Sequence, residues 1–292
     1  MDPVKKFRQM LTRKEVIVAP GVYDCVSAKV AEKVGLQAVY MGGFGVAGSL
    51  FGKPDLGLIT GSEMIDHARR ITSAVDIPVL ADADTGYGNA LNVRRTVQEY
   101  ERAGVAGIHI EDQIFPKKCG NMPGRHVIPT QEMVAKIRAA VDARVNEDFV
   151  IIIRSDSYLE NDIDELIDRG QAYLEAGADG LWPLLYQCKS VEEMKKVGSS
   201  FDPDVPLMFT LTHYGAVAYM PVQQAVEMGY RLIVSTWTPL AAVTYSLIEI
   251  MKEIKEKGSI RGFADRMIPF DDFTDLVGLP EANVLESQYG IS

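Results

Sequence analysis

The feature that most restricts how this chain can fold is a recurrence. Eight short apolar runs, at residues 16–19, 38–41, 78–81, 107–110, 149–154, 180–183, 207–211 and 231–235, are spread along the sequence. Continuous apolar character over so few residues suits a parallel strand covered on both faces. Between the runs lie stretches with the apolar spacing of amphipathic helices, such as residues 91–103, 131–145, 163–176 and 222–228. Gly35, Gly104, Gly177 and Gly229 stand just ahead of strands, where a left-handed residue can end the preceding helix. Eight strands alternating with helices over about 240 residues is the count of a (β/α)8 barrel. A doubly wound open sheet shares that alternation, but no GxGxxG follows the first run. No Pro/Gly/Ser-rich linker divides the chain, so one barrel domain over residues 1–292 is expected, with a helical extension from about 239 to 292. That tail carries scattered aromatics and is long for a barrel terminus, which suggests packing on another subunit.

Composition narrows the function. The 30 Lys and Arg face 40 Asp and Glu, a net charge of −10, so nothing offsets repulsion from nucleic-acid phosphates or an anionic membrane. An apolar content of 47% excludes intrinsic disorder. Cys25, Cys119 and Cys188 are odd in number and form no CxxC, against a disulfide scaffold or structural zinc site and in favour of a reducing cytosol. Residues 1–14 are charged, without the apolar centre of a signal peptide. No apolar run approaches the ~20 residues of a membrane span. A cytoplasmic protein acting on a small molecule is expected.

In a barrel, chemistry gathers where the strands end. The second run leads into Tyr40, Met41, Gly42, Gly43, Phe44 and Gly45, and the third into Asp82, Ala83, Asp84 and a glycine-rich turn. The fourth yields His109, Glu111, Asp112 and Gln113, and the fifth Arg154, Ser155 and Asp156. Asp82 and Asp84 are two apart and share a face if the chain is extended. With Glu111 on the next strand, they form an all-oxygen set that suits a hard cation such as Mg²⁺ or Mn²⁺. The long loop after the fourth run contains Lys117, Lys118, Cys119, Gly120 and Asn121. Its cations would favour thiolate and attract an anionic substrate, and loops of this length often serve as lids. Cys25 and Cys188 read as small core residues.

With these residues assembled, the chain resembles the isocitrate lyase / phosphoenolpyruvate mutase superfamily. The matching segments are residues 19–24, Pro54-Asp55-Leu56-Gly57, residues 82–88, Glu111-Asp112-Gln113 and residues 117–120. The Lys-Lys-Cys-Gly loop is similar to the lyase branch, above all the 2-methylisocitrate and 2,3-dimethylmalate lyases. The resemblance implies Mg²⁺ on Asp82, with Asp84 and Glu111 acting largely through water and Asp55 nearby. It implies an α-keto acid held by the backbone at Gly42, Gly43 and Phe44, with Lys117, Gly120 and Asn121 on the substrate. Cys119 is implied as general acid and Arg154 as the substrate-binding arginine. Tyr40 is a candidate base for the hydroxyl of a 2-hydroxy acid. The family assembles as a homotetramer in which the last helix is exchanged between subunits.

Departures from that pattern concentrate in the other half of the site. Leu184 and Thr210 stand where the lyases have glutamate and asparagine, Gly42 replaces a serine, and Asn121 a histidine. Thr238 and Ala241 fall near a usual serine and arginine. A second carboxylate there would be poorly paired, at a cost of several kcal/mol, on the order of 1–3 per unmade bond. Trp182, Thr212, His213, Tyr214 and Trp237 are expected to line the altered pocket, with His213 able to donate to a substrate oxygen. The expected activity is cleavage of a 2-hydroxy carboxylic acid to an α-keto acid and a second acid. An oxaloacetate-type hydrolase or decarboxylase, a phosphonate enzyme, or a non-catalytic binder on the same scaffold remain open.

Overall fold

The computed structural model describes residues 1–159 and 162–290. Each of the eight runs forms a strand: β1 (Ile17–Val22), β2 (Val39–Met41), β3 (Val79–Asp82), β4 (Gly107–Glu111), β5 (Val150–Ser155), β6 (Gly180–Pro183), β7 (Leu207–Thr210) and β8 (Tyr230–Ser235). All pair in parallel, and β8 closes on β1 through Ile17–Leu232 and Val18–Ile233, so the open-sheet alternative does not hold. The register sets the chemistry side by side. Asp82 lies opposite His109, Glu111 opposite Arg154, and Arg154 opposite Trp182.

Alternate strand residues fill the barrel interior. Ile17, Ala19, Tyr40, Leu80, Val150, Ile152, Trp182, Met208, Leu232 and Val234 form one buried cluster. Phe7, Met10 and Leu11 of the helix Pro3–Thr12 join it. That helix starts on the Asp2 carboxylate, which accepts from the Val4 N–H at 3.0 Å, with Pro3 at the first turn, where its missing N–H costs nothing. Its Arg8 bonds the Phe149 carbonyl and Asp179, which directly precede β5 and β6, so the helix closes the N-terminal end of the barrel. The charged composition of residues 1–14 hid this helix, because only one face is apolar.

The opposite faces of the strands meet the outer helices. Val22, Met41, Val79, Ile108, Ile151 and Ile153 pack with Ala28, Met64, Ile71, Val97, Ile137 and Met194. Full burial of each large aliphatic side chain contributes roughly 1.5–3 kcal/mol. These helices carry good start signals. Asp24 and Ser27, Thr60 and Glu63, and Asn89 and Asn92 form reciprocal capping boxes ahead of Cys25–Lys33, Gly61–Thr72 and Ala90–Arg102.

The glycine-rich segment after β2 is helical: Gly42 caps a helix over Gly43–Phe51. Its small residues permit close packing, since a Cβ at Gly45 would lie 3.2 Å from the Tyr23 side chain. After β8 comes the 20-residue helix Thr238–Lys257, then Phe270–Leu276 and Leu279–Gln288, and none of the three buries a residue. Val243, Leu247, Ile248 and Met251 of the first are exposed. An apolar groove lined by Val22, Val26, Val30, Val34, Pro239 and Val243 lies open beside it.

Candidate active site

A small pocket opens at the C-terminal ends of the strands. It is lined by Tyr40, Gly42, Gly43, Phe44, Asp55, Asp82, Cys119, Gly120, Asn121, Arg154, Trp182, Tyr186, Thr236 and Trp237. Asp84, Glu111, Lys117 and Thr210 are buried beside it and do not line it. The structure therefore brings most of the expected residues together, in two layers.

Asp82 is at the centre of the carboxylate layer. Its Oδ2 accepts from the Gly43 N–H at 2.9 Å, the second residue after β2 and the start of the following helix. Its Oδ1 accepts from the Asp84 N–H at 2.9 Å and lies 3.3 Å from His109 Nε2. Burial opposes the ionised form, but His109, Lys117, the Gly43 N–H and Arg154 outweigh it and hold the carboxyl below its ordinary value. Asp84, at φ +46, takes the opposite direction: burial, against Lys117, lifts it to about 7. Lys117 explains the arrangement. Its Nζ lies 2.5 Å from Asp55 Oδ1 and 2.8 Å from Asp84 Oδ1, so it neutralises the cluster from below instead of lining the pocket. A Cβ at Gly43 would sit 3.1 Å from Asp82 Oδ2 and 3.3 Å from Lys117 Nζ, which leaves glycine as the residue that fits.

The fit to a cation follows from this geometry. Among the described residues no three His, Cys, Asp or Glu side chains converge as a closed metal cage. Glu111 is nevertheless fully buried, and its Oε1 has no hydrogen-bond partner. Burial, opposed by Arg154 and Lys117, pushes its carboxyl well above the ordinary range. Two pocket-facing carboxylates, Asp82 and the lysine-paired Asp55, with Asp84 and Glu111 recessed behind them, suit an ion that keeps much of its water, as Mg²⁺ does. Zinc sites are usually built from three or four direct ligands that include His or Cys, which this all-carboxylate set does not supply.

Arg154 forms the second layer. Its Nε and Nη2 grip Asp156 at 2.8 and 2.9 Å, its Nη1 lies 3.1 Å from Glu111 Oε2, and its guanidinium stacks over Trp182 at 5.1 Å. Asp112, one residue past Glu111, points the other way, as strand alternation requires. It accepts from Ser155, the Asp156 N–H and Tyr173, and belongs to the frame.

The Lys-Lys-Cys-Gly loop is the tip of a hairpin whose neck is the antiparallel bridge Gln113–Val127. Gln113 replaces a missing strand partner: its side chain accepts from the Lys118 N–H and donates to the Lys118 carbonyl, both at 2.9 Å. The Cys119 N–H donates to the Asp55 carbonyl at 3.0 Å. The thiol is 8% exposed, and burial pushes it above the ordinary thiol value, so the two neighbouring lysines do not make it a thiolate. That reverses the expectation from charge alone. Gly120 lets the loop close, because a Cβ there would lie 2.8 Å from Leu184 Cδ2 and 3.0 Å from Arg154 Nη2.

Two further expectations change. The Tyr40 hydroxyl lies 2.8 Å from His109 Nε2 and donates to Asp82 at 3.4 Å. Burial first, then Asp82, drives its pKa well above the ordinary phenol value, which disfavours the phenolate that a base would need. The same ring explains Gly42, where a Cβ would meet Tyr40 Cε1 at 2.7 Å. His213 is exposed and stacks on Tyr214 and Trp237, with centroids 4.4 and 5.3 Å away, outside the pocket lining. The distal wall is instead Trp182, Tyr186, Thr236 and Trp237, with Phe44 edge-on to Trp237 at 5.8 Å. Sequence reasoning gave no role to His109, Gln113, Arg125 or Tyr186: the partners of His109 and Tyr186 are strands away, and those of Gln113 and Arg125 meet them only once the loop folds back.

A closed parallel barrel with carboxylates, an arginine and a loop thiol at its strand ends defines an enzyme of small acidic substrates. The family model described as phosphoenolpyruvate phosphomutase matches residues 7–255. The 2,3-dimethylmalate lyase of Eubacterium barkeri is 41% identical over 289 residues, spanning 99% of each chain. The 2-methylisocitrate lyase of Aeropyrum pernix is 40% identical, covering 93% of this chain and 86% of that one. Among solved structures, oxaloacetate acetylhydrolase with the inhibitor 3,3-difluorooxalacetate superposes with a TM-score of 0.93 at 34% identity, over 100% of this chain and 98% of that chain. The chain belongs to the isocitrate lyase / phosphoenolpyruvate mutase superfamily.

Proposed function

We propose that this chain is a Mg²⁺-dependent carbon–carbon lyase of the oxo-acid type. It splits a 2-hydroxy acid, a substituted malate or methylisocitrate-like compound, into an α-keto acid such as pyruvate and a second carboxylic acid. The observation that carries this reading is the Cys119 thiol, buried on the pocket wall with its proton retained. A lyase needs a proton donor over the departing carbon, whereas a phosphoryl shift does not. The 41% identity to a dimethylmalate lyase points the same way.

Asp82 would hold the ion directly, with Asp84 and Glu111 behind its water, and Mn²⁺ would fit the same oxygen set. When bound, such an ion would supply a positive charge that favours loss of the C2 hydroxyl proton by stabilising the alkoxide formed before the carbon–carbon bond breaks. The chain's own residues do the rest. Beyond the Gly43 N–H, which Asp82 holds, the next N–H groups at the start of the helix Gly43–Phe51 lack intrahelical partners and offer a site for the keto-acid carboxylate. Arg154, fixed by Asp156, faces the carboxylate of the departing fragment. The substrate hydroxyl gives its proton to pocket water as the C2–O bond becomes a carbonyl, Cys119 gives its proton to the carbanion of the departing fragment, and the thiolate regains one from solvent when the loop opens. Tyr40 orients Asp82 by donating to it. Asn121 and Gly120 close over the substrate from the loop.

A hydrolase acting on an oxaloacetate-like acid is the second reading, favoured by the 0.93 superposition on oxaloacetate acetylhydrolase and by the hydroxyl groups of Tyr186 and Thr236 in the distal wall. Purified protein incubated with Mg²⁺ and 2,3-dimethylmalate, 2-methylisocitrate or oxaloacetate separates the two. Keto acid from either hydroxy acid, lost with EDTA and restored by Mg²⁺, is expected. Oxalate from oxaloacetate, with no keto acid from any hydroxy acid, overturns the lyase reading.

The bare C-terminal helices support a homotetramer of helix-exchanged pairs around one barrel domain per chain. Among the described residues no helix is long and apolar enough to cross a membrane, which fits the expected cytoplasmic site of action.

A further inference from the structure

The hairpin that carries Cys119 ends in an arginine that the reaction above does not use. Arg125 is only 4% exposed, although it closes a surface loop. Its Nη1 donates to the Cys119 carbonyl at 3.3 Å, and its Nε lies 3.2 Å from Asp156 Oδ1. Asp156 grips Arg154 with both oxygens, and Arg154 reaches Glu111. Two cations and two carboxylates thus alternate from the loop tip to the carboxylate layer. The Cys119 carbonyl also accepts from the Met122 N–H at 2.8 Å, while the Cys119 N–H is held by Asp55 on the other side. The peptide units flanking the thiol are therefore both anchored, one of them through Arg125. A guanidinium suits this task because its fork reaches a carboxylate and a carbonyl at once, which a lysine ammonium does less well.

We propose that Arg125 is a positioning residue: by bridging Asp156 and the Cys119 carbonyl, it holds the thiol against the pocket and ties that placement to the aim of Arg154. Only its consequence for turnover rests on the lyase reading; the placement of the thiol does not. Iodoacetamide alkylation, mapped by peptide mass so that Cys119 and Cys188 are followed separately, reads that placement without substrate. Arg125→Gln is expected to raise the Cys119 rate about tenfold, the order of one lost hydrogen bond to a charged group, with Cys188 unchanged. Arg125→Lys, which keeps the charge and loses the fork, is expected to fall between. With a turned-over hydroxy acid, kcat should drop more than KM rises, because the thiol acts after binding. Equal acceleration at Cys188 would indicate general loosening and overturn the proposal, as would an unchanged Cys119 rate in folded Arg125→Gln. If the Gln variant does not fold, full protection of Cys119 in Arg125→Lys overturns it. An absence of turnover in the unmodified protein, with the alkylation difference intact, would sink the lyase reading and leave Arg125's role standing.

Discussion

Cys119 shows how burial can override neighbouring charge. Flanking lysines suggest a thiolate, yet Lys117 is committed to Asp55 and Asp84, and desolvation favours the neutral thiol. A general acid must enter the reaction protonated, so this environment suits the task. With the pKa raised above that of a free thiol, alkylation of Cys119 should be slow at neutral pH and accelerate only above the ordinary range near ~8.5. A rate that saturates below that pH would contradict it. Cys119→Ser should lower lyase turnover by about 10²-fold or more, the usual worth of a positioned acid, with melting temperature little changed. At this scale the sequence reading places side chains well where placement follows strand position, as for Asp82, Glu111 and Arg154, which come together at the strand ends. It misses where function follows a partner far along the chain. Nothing near Lys117 indicates that Asp55, 62 residues away, will claim its charge, and nothing near Arg125 announces Asp156.

Among the elements, the strands were legible because a parallel strand buried on both faces must be apolar throughout. The helix Pro3–Thr12 was not, since its function is to present three side chains, Phe7, Met10 and Leu11, to a cavity that exists only once the barrel closes. Phe7 is fully buried there. Phe7→Ala should cost about 3–5 kcal/mol, the range for emptying a buried aromatic site. Denaturant unfolding monitored by circular dichroism would measure it, and a loss under ~1 kcal/mol would mean the helix is not part of the cooperative core. The segment after β2 is illegible for a related reason: glycines commonly signal a turn, but here they let a helix end approach Asp82 closely enough for the Gly43 N–H to bond it.

For the molecule as a whole, the unpaired surface is the instructive feature. The helices after β8 bury no residue, while Val243, Leu247, Ile248 and Met251 face outward beside an open apolar groove. Contiguous exposed apolar surface of this kind is uncommon on a monomer. Sedimentation should find a species four times the 32.2 kDa chain mass. Replacing Leu247 and Met251 by Glu should shift it to smaller species, and a monomeric unmodified protein would refute the assembly.

The closed floor of the barrel also dictates traffic. With the N-terminal end sealed by Phe7, Met10 and Leu11, molecules enter and leave by the mouth alone. One substrate goes in and two products come out in file. On the proposed mechanism the fragment beneath Cys119, on the loop side, is expected to depart first and the keto acid against Asp82 last. Steady-state inhibition should carry that signature, with the keto acid competing against substrate for the empty enzyme and the second acid inhibiting noncompetitively. Competition by both would mean that the queue does not exist.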